Sequence, residues 1–466
     1  MTAYTRSKNY WADFPVTYRA EQIAIITRWV SAGESGVVVG GSGTGKSNLA
    51  GFLAGRPDAI APHLNDDPDS LIFLWFDINS LPTLSETYFY RGLIQTLIDA
   101  SEAFGADLQQ AMQQLTAGPA NWNDIFFVLT TIRKAHSLFI DLTGKRIVWL
   151  LDRFDEACRQ LDAQTLNSLR SMRDQFKGQL CFVVFTRHPL MRLRDPAEFD
   201  EFHEIVAANT CWVGPMVARD AHWIARQMAE RLNTTFSKQD VTRLITVTGG
   251  LPAFMKLACL AIHKSDFDRQ QSVKAWAAWL LTRLEFQRNC QEIWDDLTVE
   301  EQNFLLAVSS GVDTRQLDAE VQQYLLQTGL IISTNKSGDR LPSRVRVFSP
   351  VFEGFIKQQR GTAAGNLELH PKTRTVLRGG VPLNIELTAG EDRLLSFFLE
   401  HPNEICSKDT LMRTVWPDEK YVAGIRDDRL AQLVKRLRQK IEPEPARPAY
   451  IQTVRGQGYR FVQPGG

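Results

Sequence analysis

The chain has 466 residues, with 53 Lys and Arg balanced by 53 Asp and Glu and 44% apolar residues, the composition of an ordinary globular protein. Its length exceeds what one hydrophobic core supports, so about two to four domains are expected, and zero net charge gives by itself no argument for nucleic acid. No run approaches the ~18 apolar residues of a membrane span, and Met1–Tyr10 lacks the apolar stretch of a secretory signal; a cytoplasmic protein without a membrane partner is expected. Six cysteines (158, 181, 211, 259, 290, 406) contain no CxxC pair, against a zinc site or a disulfide framework.

The first motif in chain order is Gly40-Gly-Ser-Gly-Thr-Gly-Lys-Ser47. The apolar Ser35–Gly40 before it reads as a buried strand and Asn48 onward reads as a helix, the context in which such a loop cradles phosphates. Backbone N–H groups at Gly40, Gly43 and Gly45, with Asn48 beside them, turn toward the anion; Lys46 reaches the β and γ oxygens and Ser47 ligates Mg²⁺. A loop of this kind needs a carboxylate on the metal side at the end of a second buried strand. Arg146-Ile-Val-Trp-Leu-Leu-Asp152 supplies one, making Asp152 the metal-side residue together with Ser47. Arg153 follows it, where a water-orienting carboxylate is often found; Asp155 and Glu156 lie within one turn and either take that role or only cap the next helix.

Two further strands, Ser70–Asp77 and Leu180–Arg187, fit the same sheet. Arg187 falls at the carboxyl edge, where ligands of open α/β sheets bind, and is a candidate sensor of the γ-phosphate; the plainer alternative is a surface arginine. A helical region with Thr248-Gly-Gly-Leu-Pro252 comes next.

The phosphate loop, Asp152 ending an apolar strand, Thr186-Arg187 ending the next and Gly250-Leu-Pro252 in a helical lid, in that order, resemble the STAND family of AAA+ signal-transduction ATPases over about residues 10 to 357. The resemblance implies ATP or ADP with Mg²⁺ as ligand, Pro252 as a neighbour of the nucleotide, and a winged helix that closes on the ATPase. That winged helix is expected from a helix opening at Leu297-Thr-Val-Glu-Glu301 and two strands, Gly329–Thr334 and Arg344–Ser349, around the polar turn Asn335–Arg340. The family's phosphate-facing His is replaced here by Phe348-Ser-Pro350, so that latch is not carried over.

Lys357–Asn366 reads as a linker. Beyond it, strands are expected near 367–370, 374–377 and 382–387, then a helix opened by the capping box Thr388–Glu391, a helix from Ser407, and a third over Arg426–Ile441. From Gly361 to Gly466 there are 16 Lys and Arg against 13 Asp and Glu, with Lys435, Arg436, Arg438 and Lys440 clustered on the third helix outside a stripe of Leu430, Leu433, Val434, Leu437 and Ile441. A buried stripe with a cationic outer face suits a helix in a DNA major groove, and a hairpin follows with Arg455 at its tip.

Leu387-Thr388, Glu391, Leu437-Arg438 and Thr453-Val-Arg-Gly-Gln-Gly-Tyr-Arg460 resemble the effector domain of OmpR/PhoB-type response regulators over about residues 366 to 463. The resemblance implies that Lys435, Arg436 and Arg438 lie on the recognition helix, that Thr453 touches phosphate and that Arg455 enters the minor groove of double-stranded DNA. The family's Val-Asp-Val-His-Ile is here Leu430-Ala-Gln-Leu-Val434, so the base sequence read does not transfer.

The expected architecture is an α/β P-loop NTPase core with a parallel sheet (1–215), a helical lid (216–290), an internal winged helix (291–357), a linker (358–366) and a C-terminal winged helix-turn-helix domain (367–466). The expected function is an ATP switch, with slow regulatory hydrolysis, that controls transcription through sequence-specific DNA binding. A homo-oligomer formed on ATP binding is expected; no sensing repeat of 30 to 45 residues is found, so the trigger is read by the ATPase surface, by the segment around Ser101 to Ala135, or by a separate signal or protein partner. The rival readings are a DNA-remodelling or loading ATPase, and an anti-phage defence sensor of the STAND type.

Overall fold

Five apolar segments form one parallel sheet: β1 (Gly36–Val39), β2 (Leu71–Asp77), β3 (Arg146–Asp152), β4 (Leu180–Thr186) and β5 (Thr210–Trp212), in the spatial order β2-β3-β4-β1-β5. In the computed structural model, residues 10–463 are described except 65–66, 118–120, 335–341, 343, 360–366, 371–373, 379–380, 384, 418–424, 443–444, 446–447 and 455; for 68, 196–200, 316, 381–382 and 425–427 only the backbone path is described. No helix among the described residues is long and apolar enough to cross a membrane. The chain divides into two units, residues 1–298 with 313–352, and residues 299–312 with 353–466.

In the first unit, the strands are continuous apolar runs because both faces of the sheet are covered, and every residue of β4 is buried. On one face the alternate residues Ile72, Leu74 and Phe76 of β2 and Ile147, Trp149 and Leu151 of β3 join Phe89, Leu93 and Leu97, a helical i, i+4, i+8 stripe of Glu86–Ser101. The helix Ile125–Thr143 adds Val128, Ile132 and Phe139 to the same core. It also places His136 against β3, where the Trp149 Nε1–H donates to its Nε2 at 2.9 Å and burial pushes the imidazole down to about 4.

The phosphate loop leads from β1 into α1 (Lys46–Gly55), and α2 (Phe154–Gln160) follows β3. The segment expected to form the lid carries α3 (Ala218–Arg231), α4 (Lys238–Thr248), α5 (Pro252–His263), α6 (Val273–Leu281) and α7 (Leu284–Asp295), the last running past the expected boundary at 290. The helix α4 opens on a Ser237–Asp240 capping box and stops at Gly249, whose φ of 62° is the left-handed cap that glycine tolerates. Pro252 then occupies the first turn of α5, where its missing N–H costs nothing. The strands β6 (Ile331–Ser333) and β7 (Val345–Val347) pair antiparallel; the expected turn between them, 335–340, lies outside the described residues. Behind β7, the Ser349 hydroxyl donates to the Val247 carbonyl at 2.9 Å, so the Phe348-Ser349 segment is fastened to the end of α4.

The second unit carries β8 (Leu367–Leu369), β9 (Val376–Arg378) and β10 (Val381–Pro382) as one antiparallel sheet, then α8 (Ala389–Glu400), β11 (Ile405–Ser407), α9 (Lys408–Val415), α10 (Ile425–Ile441), β12 (Ile451–Val454) and β13 (Gly458–Phe461). The third strand of the first sheet, Val381–Pro382, ends where the sequence pattern has it begin, the expected strand being 382–387. The Leu383 N–H still donates to the Val376 carbonyl of β9 at 2.8 Å, and beyond it the Ile385 N–H turns back to the Leu383 carbonyl at 2.8 Å. The Thr388–Glu391 capping box forms as expected, with the Thr388 N–H donating to Glu391 Oε2 at 2.9 Å. Leu430, Leu433, Val434, Leu437 and Ile441 of α10 are buried with Leu394, Leu395, Phe398, Tyr450 and Phe461 in one core. Between α10 and β12 the buried carboxylate of Glu442 accepts the N–H groups of Ala449, Tyr450 and Ile451 at 2.6 to 3.1 Å.

Candidate functional site

The carboxyl ends of β1, β3 and β4 meet beneath a cleft of about 630 Å³, lined by Gly43, Gly45, Lys46, Ser47, Asn48, Asp152, Asp155, Glu156 and Arg187, all of them named by the sequence, and by Asn79, Arg153, Arg159 and Asp296 among others. Gly43 and Gly45 have φ values of 75° and 88°, which other residues rarely adopt, and they turn the loop into the N-terminus of α1. The Gly40 N–H does not turn toward the cleft as the sequence predicts: it donates to the Thr186 carbonyl at 3.1 Å, which fixes the start of the loop on β4, and Gly40 is not among the lining residues. Lys46 folds back on its own loop: its ammonium donates to the carbonyl of Gly40 and to that of Gly41 at 3.1 Å. Burial lowers this ammonium to about 8, against the opposing pull of Asp155 and Asp152.

Asp152 is 1% exposed. Its Oδ1 accepts the Arg153 N–H at 3.0 Å, whereas Oδ2 is buried with no hydrogen-bond partner. Burial raises its pKa, and the Ser47 hydroxyl beside it works in the other direction. One strand over, the hydroxyl of Thr186 is likewise buried without a partner. Orphaned buried polar atoms are uncommon in folded proteins, and here two lie at the adjacent ends of β3 and β4, Asp152 lining the cleft beside the phosphate loop. A phosphate chain with its divalent cation fits this set of groups: amides and Lys46 for the anion, Ser47 and Asp152 for the metal.

Asp77 stands in register with Asp152 on the neighbouring strand, and Arg153, at a left-handed φ of 58°, sends its guanidinium to within 3.6 Å of it. Of the two carboxylates proposed to orient water, Asp155 is buried and its Oδ1 accepts the Arg187 N–H at 2.8 Å, while Glu156 is partly exposed and bonded to Arg159 and Gln160 at 3.1 and 3.0 Å. The Arg187 guanidinium turns toward the lid, 3.4 Å from Glu292 and 3.5 Å from Asp296. Its side chain is 45% exposed, and pairs of this kind contribute roughly 0–1 kcal/mol.

Pro252 is buried against the loop and does not line the cleft: a Cβ built on Gly45 would lie 3.5 Å from its ring. The next residue ties the lid directly to the loop, the Ala253 N–H donating to the Gly43 carbonyl at 3.2 Å. Sequence reasoning missed Arg19, which is buried and donates to the carbonyls of Thr44, Gly214 and Pro215 at 2.8, 2.9 and 3.3 Å while its own N–H is held by Asp220. No local pattern marks it. Asp77 did carry a signal, being an acidic residue that ends an apolar strand as Asp152 does.

In the second unit, the face of α10 opposite its buried stripe exposes Arg429, Gln432, Lys435, Arg436 and Gln439, an i, i+3, i+6, i+7, i+10 row. Arg429 stacks on Trp416, 4.9 Å from the ring. The other two cations of the predicted cluster bend inward. Arg438 donates to the Ile451 carbonyl at 2.6 and 3.0 Å and to the Thr453 hydroxyl at 2.9 Å, and Lys440 donates to Glu391 and to the Glu386 carbonyl, each at 2.7 Å. Thr453 is exposed on β12, and Arg455 lies outside the described residues.

Residues 382–461 match the family model described as "Transcriptional regulatory protein, C terminal". The transcriptional regulatory protein YvrH of Bacillus subtilis is 40% identical over 90 residues, 17% of this chain and 37% of its own length. The phosphate regulon transcriptional regulatory protein PhoB of Shigella flexneri is 36% identical over 124 residues, 26% of this chain and 48% of its own length. The chain thus spans less than half the length of the curated relatives it matches. Among solved structures, the Walker-type ATPase PABY2304 of Pyrococcus abyssi aligns over 73% of this chain and 95% of its own, at 11% identity and a TM-score of 0.44. The chain joins a five-stranded parallel sheet that carries a glycine-rich phosphate loop after β1 to a C-terminal domain similar to that of OmpR/PhoB-type regulators.

Proposed function

We propose that the chain is a STAND-type nucleotide switch that governs where and how tightly its C-terminal domain binds double-stranded DNA, and so acts as a transcriptional regulator. The observation that carries this reading is the orphaned Oδ2 of Asp152, buried beside Ser47 and Lys46 in a chain that also exposes Lys435 and Arg436 on α10. Lys46 and the loop amides hold the phosphates, and Ser47 and Asp152 hold Mg²⁺. When bound, ATP supplies a third phosphate whose charge its hydrolysis removes.

Arg187 comes from the end of β4 and pairs with the lid, so its guanidinium is the group able to report the cleft's occupancy to α7. Asp155 positions Arg187 through the bond to its N–H, and Arg153 stands where a water-orienting carboxylate would give fast turnover. Slow hydrolysis follows from that substitution. On DNA, Lys435 and Arg436 meet the duplex, and Arg438 sets the angle between helix and hairpin. Operator selection from random duplex, followed by affinity measurements with ATP, with ADP and without nucleotide, tests the switch. A motif bound more tightly in one nucleotide state by the wild type, and equally in all states by Lys46→Ala, is the expected result. Equal affinities for both proteins in every state would refute it.

A further inference from the structure

Asp296 is the residue directly after α7 and serves as its C-cap. With Glu292 and Asp295 it gives the last turn of that helix three carboxylates, at the end where the helix dipole favours cations. The helix therefore carries an unfavourable charge pattern that its own stability does not explain. Glu292 and Asp296 both reach Arg187, but only Asp296 also lines the cleft with Lys46, Ser47 and Asp152. A lid carboxylate thus enters a site built for phosphate, on the same arginine that stands at the edge of the phosphate loop.

We infer that Asp296 stands in for the third phosphate and sets the cleft's preference for the diphosphate: its carboxylate holds Arg187 toward the lid and repels an additional phosphate dianion from the same space. This rests on the nucleotide-binding reading of the cleft. A triphosphate must displace Asp296 from Arg187, and because the pair is long, at 3.5 Å, and the arginine is 45% exposed, the exchange costs little enough to work as a switch. Glu292 remains as a second partner, so releasing Asp296 does not leave the guanidinium unpaired. The lid residue that senses the ligand is then distinct from the one that merely anchors the arginine.

Titration calorimetry with ADP and with a non-hydrolysable ATP analogue, both with Mg²⁺, tests this on the full chain and its variants Asp296→Asn, Glu292→Gln and Lys46→Ala. The wild type is expected to prefer ADP, and Asp296→Asn to shift the ratio of the two dissociation constants about tenfold toward the triphosphate. Glu292→Gln, which leaves the charge in the cleft, is expected to shift it less than threefold. Asp296→Ala carries the same expectation as the Asn variant, and melting curves without nucleotide show whether each is folded. A ratio within twofold of wild type in folded Asp296 variants, while Lys46→Ala loses at least tenfold affinity for both nucleotides, would overturn the inference and leave the binding site standing. Wild type and Lys46→Ala binding both nucleotides alike would sink the nucleotide site itself, and this inference with it.

Discussion

Arg438 and Thr453 are bonded to each other: a guanidinium N–H of the helix donates to the hydroxyl on the hairpin at 2.9 Å. Because the same guanidinium also holds the Ile451 carbonyl, it fixes the hairpin at a set angle to the face bearing Lys435 and Arg436. Arg436→Ala is expected to weaken DNA binding and lower the slope of log affinity against log salt by about one, with the melting temperature unchanged. Arg438→Ala is expected to cost about 1–3 kcal/mol of domain stability as well, since it leaves a buried carbonyl without its donor. Equal melting of the two variants would show that Arg438 does not brace the hairpin.

Lys46 titrates near 8 in the free cleft, and phosphate beside it favours the ammonium. Nucleotide binding at pH 8 is therefore expected to take up about half a proton at Lys46, and none at this group at pH 6 where the ammonium is already formed. Calorimetry in buffers of different ionisation enthalpy measures this uptake. Lys46→Met should abolish it, and uptake surviving in that variant would assign the proton to another group.

Three consecutive amides converge on the single carboxylate of Glu442. Glu442→Gln keeps the shape but offers one acceptor oxygen where two are used, and is expected to cost about 1–3 kcal/mol. Urea unfolding of the full chain, followed by the protection of the Tyr450 and Ile451 amides from hydrogen exchange, checks it. Unchanged protection would mean that β12 is held by its ladder alone.

His136 is held neutral down to about 4, below the ordinary 6.5. Between those values the unfolded chain binds a proton that the folded one does not, so stability falls as pH drops through that window. From pH 7 to pH 5 the loss from this one group is about 2 kcal/mol. In urea titrations at the two pH values, His136→Gln should reduce the difference by that amount, and an identical difference in both proteins would remove His136 from the account.

The fold class was legible because its signals are contiguous. The glycine-rich loop, the apolar strand ending in Asp152 and the stripe from Leu430 to Ile441 each fit within one element. What escaped depends on residues distant in the chain: Arg19 and Asp220 are 201 positions apart, and Arg187 meets Asp296 across 109. A helical pattern also separates a buried stripe from everything else, yet cannot say which long cations curl back. Lys435 and Arg438 look equivalent in sequence, and only the packed hairpin distinguishes them. The third strand of the first small sheet lies at Val381–Pro382 and not over 382–387 for the same kind of reason, a local turn at Leu383 and Ile385 that no alternation in the sequence marks.

Two glycines of the phosphate loop, Gly40 and Gly43, answer to the protein as much as to any ligand. A side chain at position 40 would strike the Val213 carbonyl at 2.4 Å, and one at position 43 would press on Ala253 at 2.9 Å. A descendant of this chain that had abandoned nucleotide would still be obliged to keep them, so their persistence among relatives would be a poor witness to use. Lys46 is the better one. Its charge is sheltered from water at a cost, and drift would erase it first once nothing anionic came to call.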